Sequence, residues 1–179
     1  MAKQDAQFIR TFYSGCPAEK LAAAHTLFTE LADRLTASAL FTEELELLRC
    51  HAQTLNEHMR AMDLGWLCGG CAARPGGGCC GAYMAGNTDA IQMLINLLLG
   101  VSVAQQPDCG ENCCFLGPQG CLFLVKPIFC LNYNCSHILD SAESESLAML
   151  YQRVAAVLNQ QTRIEFLLLA ELRKQVKRT

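Results

Sequence analysis

Ten of the twelve cysteines lie between positions 68 and 135, and this clustering constrains the fold more than any other feature of the chain. Thiolates hold a metal ion only when several converge on one point, so folding must bring distant parts of this segment together. We therefore expect a thiolate metal site with the flanking sequence as its scaffold. The cysteines of the segment are Cys68, Cys71, Cys79, Cys80, Cys109, Cys113, Cys114, Cys121, Cys130 and Cys135.

The cysteines form two halves, separated by an apolar stretch. The pair Cys68 and Cys71 has C-x-x-C spacing, which lets two thiolates reach one metal because the intervening turn points both sulfurs inward. Each half also contains two adjacent cysteines, and adjacent residues of an extended chain project to opposite sides. Ten cysteines exceed the roughly four that one site uses, so two metal centres are as plausible as one.

Composition indicates the class of protein and its compartment. The chain has 179 residues, of which 51% are apolar, enough for one domain with a sizeable core. A net charge of −3 argues against nucleic-acid binding, which requires a basic patch. The polar N-terminus does not resemble a signal peptide, and the most apolar window, 90–104, is too short to cross a bilayer. We expect a cytoplasmic protein, in which the cysteines are metal ligands or redox groups rather than disulfides.

The flanks of the cysteine segment have helical periodicity. Apolar residues recur every three or four positions from Glu19 to Leu35 and from Leu45 to Met62. Thr42 and Gly65 are the predicted caps of the second helix. The seams of these two helices comprise Leu21, Ala24, Phe28, Leu31 and Leu35, then Leu45, Leu48, Ala52, Leu55, Met59 and Met62.

Three further elements are predicted after these helices. Residues 88–99 form an apolar central helix closed by Gly100, and residues 121–125 could form a short strand. Asp140 and Glu143 resemble a capping box that opens a C-terminal helix. An unbroken C-terminal helix would be about as long as the domain is wide. We therefore expect either a break at the polar run 159–162 or packing of the helix against a second subunit.

The predicted fold class is mainly α: a helical bundle enclosing a Cys/Gly-rich irregular metal-binding segment, with little or no β structure. One domain spans residues 1–179. It comprises N-terminal helices over 1–65, the cysteine segment over 66–137 with its central helix at about 88–99, and a C-terminal helical region over 138–179.

Several short motifs of the segment follow one another in a distinctive order. They are the CxxC pair, the pair Cys79-Cys80, Cys114-Phe115-Leu116, Gly120-Cys121 and Lys126-Pro127-x-x-Cys130-x-x-Tyr133-x-Cys135. This set resembles the YkgJ-type CxxC/CC cysteine-cluster family, described as a zinc- or iron-chelating domain. Lys126 stands where that family usually has arginine, and Leu131 where a basic residue is common.

The resemblance implies a ligand set drawn from both halves, with Cys109 and Cys113 as extra cysteines. His137 is the one nearby histidine that could replace a cysteine. The candidate metal ligands are Cys68, Cys71, Cys79, Cys80, Cys114, Cys121, Cys130 and Cys135, with Cys109, Cys113 and His137 less favoured.

An iron–sulfur cluster, in its 4Fe–4S form, is favoured over zinc as the cofactor. The donors are all thiols, they exceed four, and apolar residues such as Phe115, Leu122, Phe123 and Phe129 would shield a cluster. The predicted function is electron transfer or redox sensing with a protein redox partner. The alternatives are a structural zinc-binding protein or interaction module and a thiol oxidoreductase using Cys68 and Cys71.

Other functional signals are weak. Whether the chain is an enzyme stays open, because it has no P-loop, no G-x-S-x-G and no H-E-x-x-H motif. His51 and His58 lie two helical turns apart, which is not the usual spacing of a helical chelate. Cys50 is predicted to be an ordinary half-buried residue and Cys16 a small apolar one, and no membrane or nucleic-acid partner is expected.

Overall fold

The structure is a computed structural model that describes residues 10, 12–74, 78–106, 110–132 and 135–176. Helices account for most of these residues, and one short hairpin supplies the β structure of this part of the chain. The elements, in chain order, are α1 (Pro17–Thr36), α2 (Ala39–Ala61), α3 (Leu64–Ala72), α4 (Ala82–Gly86), α5 (Ala90–Leu98), β1 (Leu116–Gly117), β2 (Gly120–Cys121), α6 (Ile128–Asn132), α7 (Ser136–Ser141) and α8 (Ser144–Val176).

The start of α2 differs from the prediction that Thr42 caps it. Ser38 is the N-cap, and its hydroxyl accepts a hydrogen bond from the Phe41 N–H at 3.4 Å. Thr42 lies inside the first turn, where its hydroxyl donates to the carbonyls of Thr36 and Ser38. The N-cap therefore lies four residues earlier than predicted, because the Thr42 hydroxyl is hydrogen-bonded to carbonyl groups that precede it in the chain.

The end of α2 also differs from the prediction. The helix ends at Ala61, Asp63 takes a left-handed conformation with φ of 54°, and α3 begins directly after it. Gly65 is thus not a C-cap but part of α3. A Cβ at Gly65 would lie 2.5 Å from the carbonyl oxygen of Gln119, so the glycine permits close contact between this helix and the hairpin.

The predicted central helix is confirmed as α5. Asp89 caps it by accepting a hydrogen bond from the Gln92 N–H at 2.7 Å, and Gly100 follows it with φ of 79°. Every residue from Ala90 to Asn96 is buried. The helix lies against α1 and α8, so it forms the centre of the bundle.

The break predicted within the C-terminal helix is absent, since α8 runs from Ser144 to Val176 without interruption. Gln160 and Gln161 face the bundle and are buried. The Gln160 side-chain amide donates to the carbonyl and carboxylate of Glu44, and that of Gln161 donates to Gln92. Contact with a second subunit stays a prediction.

The helical seams pack as the sequence predicts. Leu31, Leu48, Val157, Ile164 and Leu168 are fully buried, and α2 packs along α8 while α1 packs along α5. The sequence also predicts a short N-terminal helix over residues 4–13, which lies mostly outside the described residues. Along the described ranges, the structure contains no helix long and apolar enough to cross a membrane.

The predicted strand at 121–125 is mostly absent. Only its first residue, Cys121, pairs: in the hairpin, Leu116 lies opposite Cys121 and Gly117 lies opposite Gly120. The C-terminal helix opens at Ser144 rather than at Asp140, which belongs to the separate helix α7. The mainly α class with little β structure is confirmed, although part of the segment expected to be irregular is helical.

Candidate metal centre

The helix α3 carries the first two cysteines of the segment. The sequence predicts an irregular chain after Trp66, but Cys68 and Cys71 lie one turn apart on α3. Leu64 and Ala72, at the two ends of this helix, are buried, while Trp66 is 79% exposed. Packing of these ends therefore supports helix formation despite the two glycines between the cysteines.

A short backbone bridge joins the two halves of the cysteine segment. Gly81 pairs with Asn112 in an isolated antiparallel bridge. The Cys113 N–H donates to the Cys80 carbonyl and the Ala82 N–H donates to the Glu111 carbonyl, both at 2.8 Å. The bridge holds the two adjacent-cysteine pairs side by side.

A second contact places the hairpin against α3. A Cβ at Gly120 would lie 3.2 Å from the Gly65 Cα, and β2 packs on α3. Cys121 ends β2, so this approach brings it near Cys68 and within electrostatic reach of it. Glycine at both positions is what lets the two backbones come so close.

Three thiols of the first half are in mutual contact. The Cys80 thiol forms hydrogen bonds with the side chains of Cys68 and Cys79. These bonds lower the pKa of Cys79 to about 6 and also lower the pKa of Cys68. The pKa of Cys80 is raised, because its proton is held by the two neighbouring sulfurs. The first half is therefore poised to carry negative charge on Cys79.

The second half contributes thiols that are more deeply buried. Burial raises the pKa of Cys121, and burial together with the charge of Cys121 raises the pKa of Cys130 to about 12. Cys113 acts electrostatically on both, and Cys79 acts on Cys130. Thiols from both halves thus share one region, which we call the thiol cluster. It comprises Cys68, Cys79, Cys80, Cys113, Cys121 and Cys130.

The ammonium of Lys126 lies beside the thiol cluster. Burial lowers the pKa of Lys126, while the neighbouring charges of Cys121, Cys130 and Cys68 act in the opposite direction. Its Nζ donates a hydrogen bond to the side-chain oxygen of Asn56 on α2. Sequence reasoning did not identify these two as site residues, although Lys126 is the one lysine in the whole cysteine segment.

Buried amides fix the chain between β2 and α6. The Asn56 amide donates to the Leu124 carbonyl at 2.7 Å. The side chains of Gln92 and Asn96 donate to the Val125 carbonyl at 2.7 and 2.9 Å, and the Val125 N–H donates to Asn96 Oδ1 at 3.0 Å. Helices α2 and α5 thereby position the segment that leads from Cys121 to Cys130.

The remaining candidate ligands occupy other surroundings. Cys71 lies against Gly78, where an added Cβ would be 2.7 Å from its sulfur. Cys114 is buried in the hydrophobic core, and Cys135 is half-buried just before α7. His137 is exposed, and Cys109 lies outside the described residues. Of the adjacent residues Cys113 and Cys114, it is therefore Cys113 that faces the thiol cluster.

Residues outside the segment have other roles. The His58 ring contacts the Ser146 carbonyl at 2.9 Å, a local bond between α2 and α8. The prediction that Cys50 is half-buried is wrong, since Cys50 is exposed, and Cys16 is exposed as well. Cys16 caps α1, where its N–H donates to Glu19 at 2.8 Å. These observations leave the thiol cluster as the main concentration of reactive groups.

A groove of about 520 Å³ opens beside α3 and reaches Cys113. The lining of the groove includes Trp66, Gly69 and Gly70 of α3 together with Asn112 and Pro118. Cys113 therefore connects the thiol cluster to the surface.

The donor atoms of the thiol cluster are of a type that suits particular metals. Its members are all sulfur donors, the type that selects zinc or iron–sulfur centres. Among the described residues, however, no three His, Cys, Asp or Glu side chains are grouped so that they could hold a metal ion. The thiols are gathered in one region, and metal binding would require their side chains to rotate towards a common point.

Comparisons of the chain with protein-family models, with curated proteins and with solved structures found no match.

Proposed function

We propose that the chain is a metal-binding protein whose cysteine thiolates hold an iron–sulfur cluster for electron transfer or redox sensing. The main support is the convergence of thiols from both halves, with the Cys113 N–H bonded to the Cys80 carbonyl at their junction. The resemblance to the YkgJ-type family favours the binding of zinc or iron.

Apolar packing beside the cluster also favours iron–sulfur chemistry. Phe115 and Phe123 are buried, with ring centroids 4.7 Å apart. A water-poor setting of this kind stabilises a cluster and influences its reduction potential. Phe129, which the sequence grouped with these residues, is 60% exposed and lies outside this packing.

The metal itself is identified by purifying the protein without oxygen and measuring iron, sulfide and zinc. We expect brown protein whose broad visible absorption bleaches on reduction. Colourless protein with stoichiometric zinc would favour the alternative, a closed structural zinc site. Protein that holds neither metal after reconstitution would contradict the proposal.

Ligand variants test whether the thiol cluster is the site. We expect Cys68→Ser and Cys121→Ser to lose metal and to become less stable, because metal binding contributes folding free energy. Cys50→Ser is the matched control, since Cys50 is exposed on α2 and outside the cluster. Equal metal content in all three variants would contradict the assignment of these ligands.

A second candidate function is thiol–disulfide exchange. It is favoured by the Cys79 thiol, whose pKa is lowered to about 6 by its hydrogen bond with Cys80. The Cys79 thiolate would attack a disulfide substrate and release one substrate thiolate, and a second cysteine would then displace the other as a thiol. Cys68 or Cys80 would be that second cysteine, rather than the Cys71 expected from the sequence. Reduction of a small disulfide that stops in Cys79→Ser would favour this candidate over metal binding.

A further inference from the structure

We infer that Lys126, held in place by Asn56, is the counter-cation of the thiolate centre and strengthens its binding of metal. This inference rests on the proposed function, because it assigns a residue that acts through the thiolates. Lys126 is a positioning residue in this role: it supplies charge and does not bind the metal.

The surroundings of Lys126 leave thiolates as its anionic partners. In the part of the chain that the structure describes, no carboxylate lies within ion-pair distance of its ammonium. Its neighbouring charged groups are the thiols of Cys121, Cys130 and Cys68 and the cation of Arg60. A half-buried ammonium is costly unless an anion offsets it, and a second cation nearby raises that cost.

Asn56 holds the ammonium in place. Its side-chain oxygen accepts the hydrogen bond from Lys126 Nζ, while its amide donates to the Leu124 carbonyl at 2.7 Å. The same asparagine therefore fixes both the lysine head group and the backbone two residues before it.

The effect on metal binding follows from charge. A divalent ion with four thiolates has a net charge of about −2, which is unfavourable in a site shielded from water. A fixed ammonium partly neutralises this negative charge. It thereby reduces the free-energy cost of keeping the cysteines ionised as thiolates. A lysine supplies this as a compact point charge.

Zinc is a suitable probe for the test, with affinity measured by competition against a chromophoric chelator. We expect Lys126→Met to weaken Zn²⁺ binding about 10- to 100-fold, as changes behind metal ligands generally do. Lys126→Arg retains the charge and should restore most of the affinity. Lys20→Met is the matched control, because Lys20 is also buried and its Nζ donates to the Gly86 carbonyl, away from the thiols.

The Co²⁺-loaded proteins separate a charge effect from loss of structure. We expect the same thiolate-to-cobalt absorption in wild type and Lys126→Met, because the ligands are unchanged. A different spectrum in the variant would mean that Lys126 shapes the site, and would overturn the inference. So would Zn²⁺ affinity equal to that of wild type, or an equal loss in Lys20→Met.

Asn56→Ala provides a second variant in case Lys126→Met does not fold. It leaves the lysine in the chain but removes its hydrogen-bond partner, so we expect a smaller loss of Zn²⁺ affinity in the same direction. Unchanged affinity in this variant would count against the inference. Wild-type protein that binds neither Zn²⁺ nor Co²⁺ would overturn the proposed function itself, whereas equal binding by wild type and variants overturns the role of Lys126 alone.

Discussion

The Cys113 N–H donates a hydrogen bond to the Cys80 carbonyl at 2.8 Å, and this bond joins the two halves of the cysteine segment. Because it belongs to an antiparallel bridge between Gly81 and Asn112, it fixes the direction of both chains as well as their distance. One cysteine of the pair Cys113-Cys114 can then face the thiol cluster while the other is buried in the core. The bridge thus decides which sulfurs are neighbours.

The first prediction concerns the reactivity of Cys79 in metal-free protein. Its pKa of about 6 means that the thiolate dominates at neutral pH, so its alkylation rate should rise with a midpoint near pH 6. The hydrogen bond from Cys80 is the main cause, so Cys80→Ala should move the midpoint towards that of an ordinary thiol, about 8.5. Mass spectrometry of alkylated peptides measures both, and an unmoved midpoint in Cys80→Ala would rule out this cause.

The second prediction concerns the contact between α3 and the hairpin. Gly65→Ala should lower the free energy of unfolding by about 1–3 kcal/mol, because overpacking forces the backbone to shift. The added methyl group would lie 2.5 Å from the Gln119 carbonyl oxygen, which cannot move aside as a flexible side chain would. Urea denaturation monitored by helical circular dichroism measures the change.

Gly69→Ala is the control for that prediction, because it makes the same substitution in the same helix. Nothing lies within 4 Å of a Cβ at Gly69, so alanine meets open space there. Alanine also favours a helix over glycine by about 0.5–1 kcal/mol, and Gly69→Ala should be as stable as wild type or more so. Equal changes of stability in the two variants would mean that the contact with Gln119 does not explain the effect of substituting Gly65.

The helical seams could be predicted from the sequence because their signal is local. Residues such as Leu48, Leu55 and Leu168 recur at helical spacing and are all buried. The end of α2 and the existence of α3 could not be predicted in this way. Glycine disfavours a helix, and α3 forms because Leu64 and Ala72 are buried at its ends and Gly65 meets the hairpin.

Long-range partners also decided what the polar residues do. The run containing Gln160 and Gln161 resembled a helix break, but Glu44 and Gln92, distant in sequence, accept their hydrogen bonds. The convergence of the cysteine halves was predicted from their spacing. Which member of the pair Cys113-Cys114 faces the cluster depends on the bridge between Gly81 and Asn112, and nothing in the local sequence specifies that pairing.

The third prediction concerns the buried amide of Asn96. Asn96→Ala should reduce the free energy of unfolding by about 2 kcal/mol, because it leaves the buried Val125 N–H without its acceptor. Asn87→Ala is the control, since Asn87 makes only a local bond to the Tyr83 carbonyl at the surface. The two variants should differ clearly in urea midpoint, and similar midpoints would mean that the Val125 contact contributes little.

The fourth prediction concerns the pH dependence of stability near Asp89. Burial raises the pKa of Asp89, and burial likewise raises that of Glu165, to which the Tyr13 hydroxyl donates a hydrogen bond. A raised pKa means that the folded state holds the proton more tightly than the unfolded chain. The favourable contribution is therefore complete below pH 3.8, the unfolded value of Asp89, and is lost as the pH rises through the folded value.

Asp89→Asn isolates the charge of this residue, because asparagine caps a helix as well as aspartate does. The free energy of unfolding of Asp89→Asn should fall less than that of wild type between pH 4 and pH 7. The free energy of unfolding of Asp89→Ala should be lower by about 1 kcal/mol at every pH, because the helix cap is lost. Glu19 acts in the opposite sense, since the hydrogen bond from the Cys16 N–H lowers its pKa. Because Glu19 is present in both wild type and Asp89→Asn, its contribution cancels in the difference between their free energies of unfolding. Parallel plots of unfolding free energy against pH for the two proteins would show that burying the Asp89 charge costs little.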